Sequence, residues 1–247
     1  MLKLKAENIT KSFEGEEIIK DITVELNEKE IVSLLGVSGG GKTTLFNVLS
    51  GLSLPDSGRV YLQNEDITGK PGKISYMLQK DLLLPYYRVL HNVALPLIIK
   101  GEKKKEAYKK AMELFPFFGL EGAERKFPHQ LSGGMRQRAA FLRTYLSSEG
   151  VALLDEPFSA LDTITKSAVH EWYLRIMEEI DLSTLFITHD IDEAILLSDR
   201  IYILSGKPGR ITGEIKIDLP KPRNNSLLLT SEFIEYKRMI SKIISES

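Results

Sequence analysis

The sequence predicts an α/β fold with a mostly parallel core sheet, an antiparallel β layer at its amino end and a helical insert. Three observations carry that prediction. Residues 1–35 alternate apolar and polar in short runs (LKLKAENIT, DITVEL, EIVSLLG) broken by FEGEE and NEKE, the pattern of strands joined by tight turns. Further on, VALLDE and TLFITHD are apolar runs that end in polar residues and are set apart by helical periodicity, as buried parallel strands are. At Gly41 a strand and glycine loop give way to TTLFNVLSGL, whose apolar residues recur at three and four.

The remaining elements follow in order. The helix after Gly41 stops near Gly51; Pro55, Asp56, Ser57 and Gly58 make a turn, and GRVYLQNEDI returns as a strand pair. Residues 80–146 read as largely helical, and GEKKKEAYKKAMELF places Ala107, Ala111, Leu114 and Phe115 on one side. The segment SGKPGRITGEIKIDLPKPRNN leads to a last amphipathic helix over Ser231–Ile244. The expected organisation is a single domain over 1–247: a core with its β layer from 1–79 and 147–225, a helical subdomain over 80–146, and a carboxyl-terminal helix within 226–247.

Composition narrows the function. Of 247 residues, 43% are hydrophobic and 27% charged, which suits a folded globule rather than a disordered chain. Lys and Arg number 33 against 34 Asp and Glu, a net charge of −1 that gives no broad attraction for nucleic acid, so none is expected as a partner. Cysteine is absent, which excludes disulfides, thiolate metal sites and cysteine nucleophiles and suits a reducing compartment. MLKLKAENITKSF lacks a signal-peptide core and no apolar run is long enough to cross a bilayer, so neither export nor membrane spanning is expected. Few amides beside many Glu and Lys hint at a heat-adapted source.

Three motifs carry chemistry. Gly36, Val37, Ser38, Gly39, Gly40, Gly41, Lys42 and Thr43 match the phosphate-loop pattern, with Thr44 next. Glycines let successive amide hydrogens turn inward on phosphate oxygens, the helix adds its positive end, Lys42 reaches the outer phosphates and Thr43 can ligate Mg²⁺. A chance glycine turn is the plainer reading, and a strand before with a helix after argues against it. Val151–Leu154 is a buried-strand run that delivers Asp155 and Glu156 to its carboxyl end, where ligands bind in such sheets. If Asp155 holds Mg²⁺, as the equivalent acid does in P-loop NTPases, Glu156 is free to orient or deprotonate a water; alternatively the acids cap the next helix. Leu131, Ser132, Gly133, Gly134 and Met135 open a helix with Ser132 as N-cap and two glycines that expose the first amides to an anion, or simply form a capped helix after a turn.

Together these motifs resemble the ATP-binding subunit of an ATP-binding-cassette transporter, whose signature LSGGQ stands here as LSGGM, over at least residues 1–205. The resemblance implies a P-loop NTPase fold, ATP and Mg²⁺, and further roles one residue at a time. Phe13 matches an aromatic that stacks on adenine, Gln79 the glutamine that touches Mg²⁺ and the attacking water, Asp162 a loop that crosses to a second subunit, and His189 the histidine at the outer phosphate. Glu156, His189, Gln79 and Lys42 are then the catalytic set, and Thr43, Gln79 and Asp155 the metal set. Leu131 to Met135 would meet ATP held by the phosphate loop of a second copy. Met135 replaces the signature glutamine, and Thr144 with Tyr145 replaces the usual Ala-Leu after Arg143; any effect is expected on the tuning of hydrolysis.

The resemblance also implies partners: a second copy, two transmembrane permease subunits, and indirectly an extracytoplasmic solute-binding protein, with this chain peripheral at the cytoplasmic face of the membrane. The apolar stretch DLLLPYYRVLHNVALPLII would mix core residues with a docking groove for a permease helix. Ser205–Arg223, with its Pro208-Gly209-Arg210 turn and Pro220-Lys221-Pro222-Arg223, resembles the tail of the importer group that handles nitrate, sulfonates, taurine and thiamine pyrimidine precursors. An exporter subunit and a non-transport P-loop ATPase are the rival readings. A kinase or GTPase would not need the Ser-Gly-Gly helix, and no Asn-Lys-X-Asp motif occurs.

Overall fold

In the computed structural model, which describes residues 1–246, the alternating amino-terminal runs form the hairpin β1 (Leu2–Phe13) and β2 (Glu16–Asn27). The strands β4 (Ser57–Leu62) and β5 (Glu65–Asp66) join it in an antiparallel sheet of order β2-β1-β4-β5. A second sheet holds β3 (Ile31–Gly36), β6 (Ser75–Met77), β7 (Val151–Asp155), β8 (Ser183–Thr188), β9 (Arg200–Ser205) and β10 (Arg210–Lys216) in the order β10-β9-β3-β8-β7-β6. Its neighbours are parallel except at the β9–β10 edge.

Helices cover the second sheet on both faces, so its central strands are buried throughout: every residue of β3, β7 and β8 is out of solvent. Alternation along each strand sorts side chains into two cores. Leu34, Leu153, Leu185, Tyr202 and Leu204 face the helix α1 (Lys42–Leu49) and the antiparallel sheet. Leu35, Leu154, Phe186, Ile201 and Ile203 face α4 (Gly133–Ser147), α5 (Thr163–Glu179), α6 (Ile191–Leu197) and α7 (Ser231–Glu246).

Residues 80–146 hold α2 (Val89–Ile99), α3 (Lys104–Leu114) and α4, with less helix than the sequence pattern suggests. The loops around Pro85 and over 115–127 interrupt it, the second containing Pro116 and left-handed Gly119 and Gly122. Ala107, Ala111 and Phe115 are fully buried and Leu114 is partly so, as the periodicity required. Asn92 anchors the loop before α2: it is fully buried, accepts from Leu84 N–H at 2.6 Å, and donates to the carbonyls of Leu84, Tyr87 and Arg88. The apolar stretch divides accordingly. Leu83, Val89, Val93, Ala94 and Leu97 are core, whereas Leu82, Leu84, Tyr86, Tyr87 and Ile99 are exposed.

The helical subdomain is joined to α5 through aromatic contacts. Phe118, fully buried, lies within 6.1 Å of the rings of Phe141, Tyr145 and Trp172. Truncating a buried phenylalanine removes its transfer energy and leaves a cavity, so Phe118→Ala is expected to lower unfolding free energy by about 3–5 kcal/mol. Urea titration followed by circular dichroism reads it.

Candidate active site

Strand register assembles the site. Leu35 pairs with Thr188, Ile187 with Asp155 and Leu154 with Met77, so the carboxyl ends of β3, β8, β7 and β6 come out side by side. The loops that leave them carry the phosphate loop, His189, Glu156 and Gln79, which is where open α/β sheets bind ligands.

Gly36 ends β3, and Val37 to Gly41 wrap into the first turn of α1, which begins at Lys42. Gly41 has φ +92°, and a Cβ there would run into Ile19; only glycine combines that backbone with that approach. The first amides of the helix, those of Lys42, Thr43 and Thr44, have no acceptor within it and are left for an anion. Ser38, Gly39, Gly41, Lys42, Thr43 and Thr44, with Ile18 and Glu156, line a cleft of ≈ 250 Å³. The Lys42 ammonium donates to the carbonyls of Gly36 and Val37, each at 2.8 Å.

The acids are held at different tensions. Asp155 accepts from the Thr43 hydroxyl at 3.3 Å and from the Tyr76 phenol at 3.2 Å. Burial nonetheless raises its carboxyl above the usual range, and burial likewise lowers the Lys42 ammonium. Each charged form is therefore under-solvated and would gain from an arriving counter-charge. Glu156 has φ +44°, a left-handed backbone that is costly for a non-glycine residue, and its N–H donates to Ile187 C=O at 3.1 Å. Its carboxylate lies 3.3 Å from His189 Nδ1 and accepts from Gln79 Nε2 at 3.1 Å. Gln79 Nε2 also donates to Ser159 Oγ at 3.3 Å. Thus Lys42, Thr43, Asp155, Glu156, Gln79 and His189 come together within one chain.

The donors of Thr43 and Asp155 suit Mg²⁺, which prefers one or two protein oxygens beside phosphate oxygens and water. Phe13 is half exposed near the tip of the β1–β2 hairpin, with the Lys11 ammonium 5.3 Å from its ring centroid. The same hairpin reaches the cleft through Ile18.

The signature motif stands elsewhere. Leu131 is buried, and Ser132 caps α4 by accepting from Met135 N–H at 3.2 Å. Gly133 and Gly134 lie against Leu161 and against Thr165 and Val169, where a Cβ would crowd. Asp162 caps α5, accepting from Thr165 N–H at 3.1 Å. None of these residues lines the phosphate-loop cleft. Of the departures, Thr144 is buried with its hydroxyl donating to Ala140 C=O at 2.9 Å.

Sequence reasoning missed several residues. Tyr76 reaches Asp155 only because β6 lies beside β7, an order that periodicity does not encode. Gly209 buttresses the loop: its N–H donates to Ile18 C=O at 2.8 Å, its C=O accepts from Lys20 N–H at 2.9 Å, and a Cβ would strike the Gly40 carbonyl. The segment over 205–223 thus packs against the phosphate loop through Gly209. Arg223, in the same tail, is buried and donates to the carbonyls of Ser198 and Ile217.

Comparison with known proteins gives concordant results. A family model described as ABC transporter matches residues 19–159. The chain is 42% identical to the formylaminopyrimidine import ATP-binding protein ThiZ of Halalkalibacterium halodurans, over 92% of this chain and 88% of that one. It is 35% identical to the nitrate import ATP-binding protein NrtD of Synechocystis sp., over 92% of this chain and 87% of that one. Among solved structures, a dimeric post-hydrolysis ATP-binding cassette bound to ADP and Pi superposes with a TM-score of 0.73 at 31% identity, covering 88% of this chain and all of that one.

Two expectations follow from the geometry. Since burial favours neutral Asp155, stability is fully present below its unfolded-state pKa and is lost as pH rises through the raised folded-state pKa. Asp155→Asn should therefore raise the thermal midpoint at pH 7, with the gain shrinking as pH falls through the carboxylate range. Differential scanning fluorimetry without nucleotide reads this, and a lowered midpoint would contradict it. Gly209→Ala should displace the phosphate loop and reduce kcat/KM for ATP by roughly 10- to 100-fold with the fold retained, as misplaced positioning groups do.

Proposed function

The chain belongs to the ABC transporter family as an ATP-binding, ATP-hydrolysing subunit, and we propose that it works as a nucleotide-sandwiching pair that drives import of a small solute through two permease subunits. The carrying observation is the separation of two anion-binding helix starts. The phosphate-loop cleft draws nothing from Ser132, Gly133 or Gly134, which leaves the start of α4 for ATP held by another copy. ATP gripped from both sides only in the closed pair would favour closure, because a ligand shifts an equilibrium by its differential affinity.

In the hydrolysis step, the first-turn amides of α1 and the Lys42 ammonium would bind the β and γ phosphates, and Phe13 would stack on adenine. Thr43, Asp155 and Gln79 would hold Mg²⁺, whose charge offsets that of the phosphate oxygens. Glu156, fixed between Gln79 and His189, would orient the attacking water and take its proton, with His189 facing the outer phosphate.

Among the described residues no helix is long and apolar enough to cross a membrane, which is compatible with a peripheral place at the cytoplasmic face. The exposed Leu82, Leu84, Tyr86 and Tyr87 follow Gln79 directly and support a permease-docking surface joined to the site by a short loop. Import is favoured by the two relatives, both import subunits, and by the tail over 205–223. Their cargoes, a formylaminopyrimidine and nitrate, support the nitrate, sulfonate, taurine and thiamine-precursor group, with delivery by an extracytoplasmic solute-binding protein.

Glu156→Gln is expected to bind ATP, to hydrolyse it roughly 10²- to 10⁴-fold more slowly, and to accumulate an ATP-dependent dimer in size-exclusion chromatography. Unchanged turnover would remove Glu156 from its role. Tyr86→Asp should leave ATPase activity of the isolated chain intact while abolishing co-purification with the permease.

A further inference from the structure

The turn that carries His189 is fastened by an ionic cluster outside the phosphate cleft. Glu193, on the first turn of α6, has a side chain only 5% exposed. Its Oε2 accepts from the Thr188 hydroxyl at 2.7 Å, and that hydroxyl accepts from Asp190 N–H at 3.0 Å, so Thr188 and Asp190 are pinned on either side of His189. Its Oε1 lies 2.8 Å from the Lys166 ammonium and 3.5 Å from His170 Nε2, both on α5. The Lys166 ammonium is also 3.7 Å from Asp190 Oδ2, and the Lys166 backbone N–H closes the first turn of α5 on Asp162 C=O at 2.8 Å, so the side chain projects from the turn that the Asp162 loop begins. On the opposite side of α6, Asp192 pairs with Lys237 of α7 at 2.7 Å.

A buried carboxylate is costly unless compensated, and an aliphatic side chain could fill its space without that cost. Here the carboxylate links three pieces: the end of β8, the start of α6 and the start of α5. The nearby His170 and Lys166 and the hydrogen bond from Thr188 outweigh burial and hold the Glu193 carboxyl down at about 2, so it remains ionised across the physiological range. His189 itself is left half exposed, free to face the site from a fixed backbone.

We propose that Glu193 is a positioning residue that sets His189 against the outer phosphate, and that Lys166 ties this position to the Asp162 loop at the opposite end of the same helical turn. The inference rests on the reading of His189 as a phosphate contact. Movement of the Asp162 loop, as a second copy docks or leaves, is thereby transmitted through Lys166 to the backbone of His189. Thr188 and Asp190 act in the same unit and are not independent contributors.

Steady-state ATPase assays on the full chain test this with Lys166→Met, Lys166→Arg, Glu193→Gln, His189→Ala and the Lys166→Met/His189→Ala double variant, each checked for folding by thermal melting. Lys166→Met and Glu193→Gln are expected to lower kcat about tenfold with the KM for ATP changed less than about twofold, the pattern of a group that acts in the transition state. Lys166→Arg should recover kcat to within about twofold, and the double variant should lose no more than His189→Ala alone, because residues acting as a unit are non-additive. Wild-type kcat in folded Lys166→Met, losses that simply multiply in the double variant, or no recovery with arginine would overturn the proposal. Should Glu193→Gln fail to fold, Thr188→Val, which removes only the linking hydroxyl, must show the same kcat-specific loss. Full turnover in His189→Ala would bring down the reading of the site itself; loss there with Lys166→Met unaffected would bring down only the link.

Discussion

Parallel pairing of β3 with β8, of β8 with β7 and of β7 with β6 is the constraint on which the rest depends. It fixes four carboxyl ends in one row: Asp155, Glu156, Gln79 and His189 stand within two residues of it, and the phosphate loop leaves β3 directly from it. The pairing holds because both faces of these strands are apolar and covered, so sliding one strand by a residue would exchange the two buried cores. The site inherits its precision from the packing of Leu34, Leu153 and Leu185 on one side and Leu154 and Phe186 on the other.

Upon that frame the cleft stores unfavourable terms. Lys42 and Asp155 are ionisable groups displaced by burial toward neutrality, and Glu156 sits on a left-handed backbone. Each is tolerated because the surrounding sheet over-determines it, and in the proposed reaction each would be relieved or used by an arriving triphosphate. The Glu193 cluster is the contrasting case. There a buried acid is offset by the Lys166 ammonium and the Thr188 hydroxyl, and the proposed benefit is rigidity of a turn rather than readiness for a ligand.

Much of this was legible in the sequence, and the limits have physical causes. Local patterns revealed the strands, the phosphate loop, the acid pair and the helix start at Ser132, because glycine spacing, capping residues and apolar period are written over a few positions. Which apolar residues of 81–99 are core was not legible, since it is decided by Asn92 folding the preceding loop onto α2. Tyr76, Gly209 and Glu193 were missed for one reason: their partners are Asp155, Gly40 and Lys166, distant in sequence or on another element, and only strand order and helix docking bring them near. Asp162 illustrates the reverse: it caps α5 in the folded chain, a role written over a few positions, beside the interface role the family resemblance implies.

Two helix starts of one chain that each suit an anion, only one of them at the phosphate-loop cleft, make sense as halves of sites completed by a second molecule. A mixing assay addresses this most directly. One preparation carries Lys42→Met, which disables the phosphate loop but leaves its α4 start intact, and the other carries Ser132→Arg, which does the reverse. Neither should hydrolyse ATP alone, and the mixture should, since mixed pairs contain one site built from two intact halves. Hydrolysis at the unmodified rate by Ser132→Arg alone, or no recovery on mixing, would contradict the account.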